Sequence, residues 1–406
     1  MIIMKKRILF MIGTLQSGGV SKSIVNLLNA MDRTTYDVHL LLLDRAGDIL
    51  SPYLPSDITV HVNREIENLH RGLSGVRALV FTGHLWLALG SLIRMLLSKF
   101  SRAWAGRWLA YLMPRFTDLS FDLIVDYGGQ QQLYYMVDKL DGKKKITFFH
   151  SDYTKWDYYY AADRLYYPKV DHIFSISQTC VDALKGFFPE CRDKISIMEN
   201  ISSPELIRKQ AAESIEIPEM PLSLLTVGHV LKAKGIDLAI EAASQLKKKQ
   251  IDFKWFFLGK IIEFDWLTLI EKKDLSDNFV FLGIRPNPYP YIKAAGIYVH
   301  PSRFEGKSIA LDEAKILCKP IVVTNFSTVN DQFEDRVNAS ICEMNGGALA
   351  DAIIELATNK ELCQSYVAYL NAHIVDNSSE VEKLYAFIDY LNSAALFLVR
   401  YFYILK

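Results

Sequence analysis

The stretch HPSRFEGKSIALDEAKILCKPIVVT, residues 300–324, has the pattern of a strand end, a loop, a helix and a second strand. The apolar run GIYVHPS at 296–302 leads into it, and IALDEAKILC repeats apolar residues at helical spacing. Pro320 then opens the run PIVVTN, which predicts a buried strand at 320–325. A strand, a helix and a strand in this order predict a parallel α/β unit.

The same alternation runs through most of the chain. Strands are predicted in the first half at 7–12, 36–43, 121–127, 145–150, 172–177 and 194–200, and in the second half at 222–228, 253–259, 278–283, 296–302, 320–325 and 339–344. Each series predicts a doubly wound α/β domain whose parallel sheet is covered on both faces. Two such domains create a cleft at the carboxyl ends of their strands, where ligands of this architecture bind.

The domain limits follow from length and composition. A chain of 406 residues is too long for one ordinary core. We expect an N-terminal domain over 1–200, a linker over the proline-containing segment 201–221, and a C-terminal domain over 222–378. Residues 379–406 are expected to form a C-terminal helix that either returns to the N-terminal domain or, in its last part, dips into a membrane. The start, MIIMKKRILFMIG, suits a first strand better than a signal peptide, because its apolar stretch is short.

Composition narrows the class of protein. Lys plus Arg equals Asp plus Glu, 46 each, so no basic excess favours a nucleic-acid partner. The five cysteines form no C-x-x-C pair, and their odd number is no disulfide framework, which favours a reducing cytoplasm. The histidines show no metal-ligand spacing, and no G-x-S-x-G elbow is present, so we expect no metal site.

One segment breaks the alternation. From His70 to Thr117 there is no Asp or Glu, but there are seven Lys and Arg residues, three tryptophans and many leucines. This composition predicts a basic helical insertion in the N-terminal domain. Three interpretations are open: the insertion lies on an anionic membrane surface, it packs on its domain with its arginines in solvent, or its run at 78–97 spans a membrane.

Two glutamates frame the helix of the opening stretch. Ser308 is a plausible N-cap, which leaves the amides of 307–310 pointing into the loop, where they can hold an anion. Glu313, in the second turn, can bridge the vicinal hydroxyls of a ribose, and Glu305 can hold hydroxyls beyond the phosphates. The spacing fits a nucleoside diphosphate with a group attached. A helix whose first turns carry acids to suit its dipole is the structural alternative.

Three further stretches come at strand-to-helix turns or strand ends. VGHVLKAKG (227–235) offers His229, Lys232 and Lys234 to phosphates, and GTLQSGGVSKS (13–23) has Gly18 and Gly19, which allow a ligand close to the backbone. The second stretch is neither a dinucleotide fingerprint nor a Walker loop. His150 ends the strand ITFFH. A solvated turn, a tight turn and a core histidine are the respective structural alternatives.

Together these pieces resemble the GT-B glycosyltransferases of family 4, over nearly the whole chain and most specifically in the E-x7-E motif of Glu305 and Glu313. The resemblance implies two Rossmann-like domains and a retaining, metal-independent transferase without a cofactor. Its substrate would be a nucleotide sugar, with UDP favoured. It assigns the diphosphate to Lys234, the ribose to Glu313, and the donor sugar to Glu305. The donor side is completed by His229, Lys232, Gly306, Lys307, Ser308 and Ile309, and the sugar and acceptor side by His150, Gly18, Gly19.

The chain departs from the family pattern at three places. His229 stands where the family usually has arginine, and Lys307 where it often has an aromatic or apolar residue. The segment NFSTVNDQF has Ser327, Thr328 and Asp331 where a glycine pair and a glutamate are usual.

The expected reaction is sugar transfer to a growing surface polysaccharide on a lipid-linked acceptor, at the cytoplasmic face of the membrane. Two alternatives are open: a soluble transferase acting on a small molecule or a protein, and a non-catalytic nucleotide-sugar-binding partner of a synthesis complex.

Overall fold

The computed structural model describes residues 5–16, 18–215 and 222–388. These form two α/β domains, each built on one parallel sheet. The predictions for 216–221 of the linker and for 389–406 of the C-terminal helix concern residues outside the described ones.

The N-terminal domain contains seven strands. They are β1 (Lys6–Ile12), β2 (Tyr36–Leu42), β3 (Thr59–Val62), β4 (Phe121–Asp126), β5 (Gly142–Phe149), β6 (His172–Ser175) and β7 (Ile195–Ile197). Its helices are α1 (Gly19–Ala30), α2 (Arg64–His70), α3 (Gly72–Phe81), α4 (Leu85–Leu97), α5 (Arg102–Leu112), α6 (Gln131–Lys139), α7 (Tyr160–Tyr166) and α8 (Gln178–Phe187). The strands lie in the order β3-β2-β1-β4-β5-β6-β7, and all neighbours are parallel.

The C-terminal domain begins with a helix and contains six strands. The helices are α9 (Pro204–Gln210), α10 (Ile236–Lys248), α11 (Asp265–Lys272), α12 (Tyr289–Ala294), α13 (Ile309–Ile316), α14 (Gly346–Thr358), α15 (Lys360–Ala372) and, after the domain, α16 (Glu382–Ile388). The strands are β8 (Ser223–Val227), β9 (Lys254–Leu258), β10 (Phe279–Gly283), β11 (Ile297–His300), β12 (Ile321–Thr324) and β13 (Ser340–Cys342), in the order β10-β9-β8-β11-β12-β13.

In each sheet the order in which successive strands are added reverses once. In the N-terminal sheet β1 lies between β2 and β4, and in the C-terminal sheet β8 lies between β9 and β11. At such a switch point the loops that follow two neighbouring strands diverge to opposite faces of the sheet and leave a crevice at the carboxyl ends. The turns after β1 and β8 are the stretches 13–23 and 227–235, so the topology brings the predicted phosphate turn and the glycine turn to the two crevices.

Burial explains why these segments are strands. β1 and β12 are apolar and buried on both faces, as expected for central strands of a covered parallel sheet. The strand at β3 was not predicted. It lies at the sheet edge, and both of its valines, Val60 and Val62, are exposed, so it shows no buried alternation.

One helix of the predicted linker packs on the C-terminal domain. Helix α9 starts with an N-cap at Ser203, whose side chain accepts a hydrogen bond from the Leu206 amide. Ile207 is buried in the C-terminal core beside Leu311 and Ile292. The polar composition of this stretch belongs to a surface helix with one buried face.

The end of the described chain packs on the N-terminal domain. Val381 and Leu384 are buried in the core around β1 and α1, and Tyr385 stacks on Tyr36 with ring centroids 4.5 Å apart. Helices α2 to α5 form the insertion between β3 and β4. Among the described residues, no helix has both the length and the apolar character that a membrane span requires.

Candidate active site

The two domains face each other across a cavity of about 320 Å³. Eleven of the twelve residues predicted for the site line this cavity: Gly18, Gly19, His150, His229, Lys234, Glu305, Gly306, Lys307, Ser308, Ile309 and Glu313. They come from the turn after β1, the end of β5, the turn after β8, and the loop and helix after β11. The carboxyl ends of strands from both sheets therefore meet at one site.

Glu305 is held by three donors on one oxygen. Lys234 Nζ lies 2.7 Å from Glu305 Oε1, Ser302 Oγ 2.7 Å and His300 Nε2 2.9 Å. Burial alone would raise the pKa of this carboxyl, but the Lys234 ammonium and the His300 ring outweigh it and hold the pKa well below its usual range. Glu305 is therefore an ionised acceptor and is unsuited to donate a proton at neutral pH.

Glu313 has different partners. Its carboxylate is buried, and Lys22 of the N-terminal domain places Nζ 3.0 Å from Oε1 and 3.3 Å from Oε2. The Tyr289 hydroxyl donates to Oε1 at 3.1 Å, and Lys22 Nζ also lies 5.5 Å from the centre of the Tyr289 ring. Burial, with the negative Glu313 nearby, raises the pKa of Tyr289 well above its usual value, so its hydroxyl remains a donor.

His150 lies on the N-terminal side of the cavity. Its ring packs on Tyr127 and Phe148, with centroids 4.5 Å and 5.6 Å away. Neither ring nitrogen makes a well-aligned hydrogen bond to a described residue, although both are buried. Burial lowers the pKa of His150 to about 4, despite the nearby Tyr127 backbone and Asn200 side chain, which favour the charged form. The ring is thus neutral at pH 7 and retains unused donor and acceptor capacity at the cavity.

The start of α13 differs in detail from the prediction. Ser308 is the N-cap, but its side chain makes no capping hydrogen bond. The Ser308 amide donates to Gln332 Oε1 at 3.0 Å, and Gln332 Nε2 donates to the Ser308 carbonyl at 3.1 Å and to Asp312 Oδ1 at 2.9 Å. One predicted anion-binding amide is therefore already taken. Ile309 and Ala310, the first two residues of the helix, line the cavity. Amides at these first positions have no intrahelical acceptor.

Two predicted lysines do not present an ammonium to the cavity. Lys232 is exposed and is absent from the cavity lining, and its amide donates to Glu263. Residues 232–234 form one 3-10 turn. Each residue of such a turn rotates the side-chain direction by about 120°, so the side chains of Lys232 and Lys234 point in clearly different directions and only Lys234 faces the site. Lys307 lines the cavity, but its Nζ is buried 2.7 Å from Glu199 Oε2 in the N-terminal domain. Its charge joins the domains.

Gly306 of the C-terminal domain lies directly against the backbone of the N-terminal domain. A Cβ atom at this position would lie 2.6 Å from the His150 carbonyl oxygen and 2.9 Å from Ser151 Cα. Both neighbours are backbone atoms and cannot turn aside, so a side chain here would push the domains apart. The loop before α13 thus requires glycine between Glu305 and Lys307.

The segment that departs from the family pattern connects the domains. Thr179 Oγ1 donates to Asp331 Oδ1 at 3.2 Å, and Ser327 Oγ donates to Asp152 Oδ2 at 3.4 Å. Thr328 Oγ1 donates to the Glu305 carbonyl at 3.1 Å. These residues therefore support the loop that carries Glu305 and contact the opposite domain.

Several residues of the cavity are not predicted from the sequence. The lining also includes Lys22, Asn200, Arg285 and His300, while Tyr289 lies behind Glu313. Arg285 and His300 come at or just after the ends of β10 and β11, so the rule that carboxyl ends of strands meet at the cleft could have indicated them. Lys22 lies one turn after the glycine pair on α1. Its pairing with Glu313 needs the relative placement of the domains and has no sequence signal.

Comparison with known protein families gives a match that covers most of the C-terminal domain. The model of a family described as glycosyl transferases group 1 matches residues 207–372. This segment, 41% of the chain, is therefore similar to that family. The match begins within α9, which agrees with the burial of Ile207 in the C-terminal core.

Curated relatives match about two fifths of the chain. A poly(ribitol-phosphate) alpha-N-acetylglucosaminyltransferase of Staphylococcus aureus is 28% identical over 173 residues, which are 41% of this chain and 35% of that protein. An amylovoran biosynthesis glycosyltransferase of Erwinia amylovora is 27% identical over 175 residues, 41% of this chain and 42% of that protein. The matches thus span less than half of this chain and less than half the length of these relatives.

Solved structures match both domains. WaaG, a glycosyltransferase involved in lipopolysaccharide biosynthesis, superposes with a TM-score of 0.65 at 15% identity, covering 94% of this chain and 99% of WaaG. HepE of Anabaena, in complex with UDP and glucose, gives 0.64 at 15% identity, covering 93% and 98%. The chain therefore has the GT-B fold, as the sequence predicted.

Proposed function

We propose that this protein is a retaining glycosyltransferase of polysaccharide biosynthesis that uses a nucleotide-sugar donor, with a UDP-sugar favoured. The observation that carries the proposal is the placement of Glu305 and Glu313 in one cavity with Lys234 and the open start of α13. Similar structures support the donor class, since HepE was solved with UDP and with UDP-glucose.

The geometry suits a donor that extends along the α13 start. Glu313 offers a buried carboxylate to vicinal ribose hydroxyls, and the Ile309 and Ala310 amides lie one turn away on the same helix. Lys234 and His229 lie on the turn after β8, on the side where the diphosphate charge would come. Glu305, ionised and aimed into the same cavity, accepts hydrogen bonds from the hydroxyls of the transferred sugar.

In the proposed reaction the bond from the anomeric carbon to the diphosphate oxygen breaks, and a bond to the acceptor hydroxyl oxygen forms on the same face of the sugar. The acceptor proton passes to the leaving phosphate oxygen. Negative charge grows on the diphosphate, where Lys234 and the α13 amides stabilise it. Neither glutamate then acts as a nucleophile or an acid. The depressed pKa of Glu305 supports the absence of an acid role, because a carboxyl so strongly ionised is a poor proton donor.

We further propose that the leaving group needs no metal ion. The cations that line the cavity, Lys22, Lys234 and Arg285, offer the charge that a divalent ion would otherwise supply. The proposed acceptor is a lipid-linked, growing surface polysaccharide at the cytoplasmic face of the membrane, with His150 and the glycine pair on the acceptor side. A soluble acceptor is the alternative, and turnover of a lipid-free acceptor would decide for it.

The first experiment measures donor binding by saturation-transfer NMR with UDP and a panel of nucleotide sugars, in a buffer that contains EDTA. We expect one nucleotide sugar to bind without metal. Glu313→Gln should weaken UDP binding by about tenfold or more, because the ribose hydroxyls lose a charged acceptor.

Glu67→Gln is the matched control. Glu67 is also a buried carboxylate paired with basic side chains, Arg45 and Arg71, but it lies outside the cavity. Equal binding by wild type and Glu313→Gln would refute the ribose assignment. Binding of the donor without turnover across a wide acceptor set would favour a non-catalytic binding partner.

A further inference from the structure

The insertion exposes apolar side chains along one side of α4. Leu85, Leu89, Leu92 and Leu96 recur at helical spacing and are exposed, and Trp86 and Ile93 widen the same stripe. The opposite face, with Ala88 and Ser91, is buried. We call the six exposed residues the α4 stripe.

The stripe continues beyond both ends of the helix. Phe81, at the end of α3, is 91% exposed, and Phe100, just after α4, is 82% exposed. Of the 24 large hydrophobic residues exposed in the described chain, 12 lie between residues 70 and 117. Single exposed apolar residues are ordinary on protein surfaces, but such a concentration on neighbouring helices marks an interaction surface.

The charges around the stripe select the partner. Arg77, Lys99, Arg102 and Arg107 are exposed, and no Asp or Glu occurs from 70 to 117. Arg107 lies over the exposed Trp104 ring, 5.3 Å from its centre, so this aromatic and cation are presented together. A second copy of this surface would bring like charges together, whereas an anionic lipid surface offers acyl chains to the stripe and phosphates to the cations.

We propose that the α3–α4 hairpin docks the protein on an anionic lipid bilayer, with α4 lying in the plane of the interface. Helix α4 has 13 residues, too few for the roughly 20 that a span needs. Its amphipathic pattern of one buried and one apolar exposed face, bordered by cations, fits interfacial binding. The proposal deepens the lipid-linked acceptor of the proposed function, but the docking itself does not depend on the donor site.

The test is co-sedimentation of the full chain with phosphatidylcholine vesicles, with and without phosphatidylglycerol. We expect binding only to the vesicles with phosphatidylglycerol, reduced at high salt. The double substitution Trp86→Ser, Leu89→Ser should lower partitioning by about tenfold or more. Arg77→Gln with Lys99→Gln should lower it about fivefold for each cation removed.

The controls change matched residues on the C-terminal domain. Phe264→Ser with Ile262→Ser removes apolar groups of comparable exposure, 65% and 48% against 61% and 50% for Trp86 and Leu89. Lys248→Gln with Lys272→Gln removes two exposed cations. Both control pairs should sediment like wild type.

Three results would overturn the docking proposal: no sedimentation of wild type with anionic vesicles, equal sedimentation of the stripe and control variants, or a solution dimer that the stripe substitutions dissociate. UDP binding is measured on every variant as a separate readout. If UDP does not bind but vesicle docking follows the stripe, the proposed function fails and the docking surface stands.

Discussion

At the scale of the residue, two glutamates of one motif have opposite surroundings. Glu305 takes its charge partners from its own domain, Lys234 and His300, whereas Glu313 takes Lys22 from the other domain. The first pairing is present whenever the C-terminal domain is folded. The second exists only when the domains are closed as in this structure. A donor ribose at Glu313 would therefore compete with, or share, the Lys22 contact.

The histidine at the cavity predicts how stability depends on pH. An unfolded histidine gains a proton below about pH 6.5, but the pKa of folded His150 is about 4. Between these values the unfolded chain binds more protons, so stability is complete above pH 6.5 and falls as the pH drops towards 4. Burial also lowers the pKa of His172 to about 4, so this residue adds a second loss of stability as the pH drops.

We expect His150→Gln to remove about 2 kcal/mol of the stability difference between pH 7 and pH 5, measured by urea unfolding at both values. His373→Gln changes an exposed histidine and should leave the difference as in wild type. An unchanged difference in His150→Gln would show that this ring takes up its proton in the folded protein as readily as in water.

At the scale of the element, the turn between β8 and α10 depends on one glycine. Gly235 has φ +74°, and a Cβ atom there would lie 1.8 Å from the Pro301 carbonyl oxygen. Pro301 begins the loop that carries Glu305, and Gly235 follows Lys234. A glycine thus lets the phosphate turn lie directly against the loop of the E-x7-E motif.

Gly235→Ala should lower the free energy of unfolding by about 3 kcal/mol, from left-handed strain and the backbone clash together. Gly283→Ala is the control, because Gly283 has φ +69° but no atom within 4 Å of the added methyl. It pays the strain alone, about 1 kcal/mol. Thermal or urea unfolding of both variants checks this, and equal losses would mean that Pro301 moves away at no cost.

At the scale of the whole molecule, charged contacts hold the domains together. The Lys307 side chain is 5% exposed, and its Nζ lies 2.7 Å from Glu199 Oε2. Burial would raise the pKa of Glu199, but Lys307 lowers it below the usual value. The pairing therefore favours the closed arrangement and stabilises the ionised carboxylate between the domains.

We expect Lys307→Met to open the cleft, because Glu199 would regain water by separating from the C-terminal domain. Small-angle scattering should show a larger radius of gyration, with the unfolding free energy lower by about 1–2 kcal/mol. Lys249→Met breaks an exposed pair with Asp351 inside the C-terminal domain and should change neither measurement noticeably. An unchanged radius of gyration in Lys307→Met would mean that the other contacts between the domains keep the cleft closed.

Local pattern was sufficient for much of the fold. Runs of apolar residues predicted twelve of the thirteen strands in the described part of the chain, within a few residues at each end, because central parallel strands are apolar on both faces. The edge strand β3 was not predicted, because its exposed valines do not form a buried apolar run. The helical insertion was visible as a change of composition, but the stripe on α4 became a surface only when α3 and α5 packed against its other face.

The sequence by itself determined the two parallel α/β domains and the residue types at the cleft, because strand ends, glycine turns and the spacing of Glu305 and Glu313 are local features. Only the tertiary structure decided which side chains share the cavity. Lys22 pairs with Glu313, Lys307 pairs with Glu199 and not with the predicted donor site, and Lys232 is exposed to solvent. Each outcome depends on how one domain faces the other, or on the direction of a side chain within a turn. Contacts between residues distant in sequence set both, and no short stretch of the sequence encodes them.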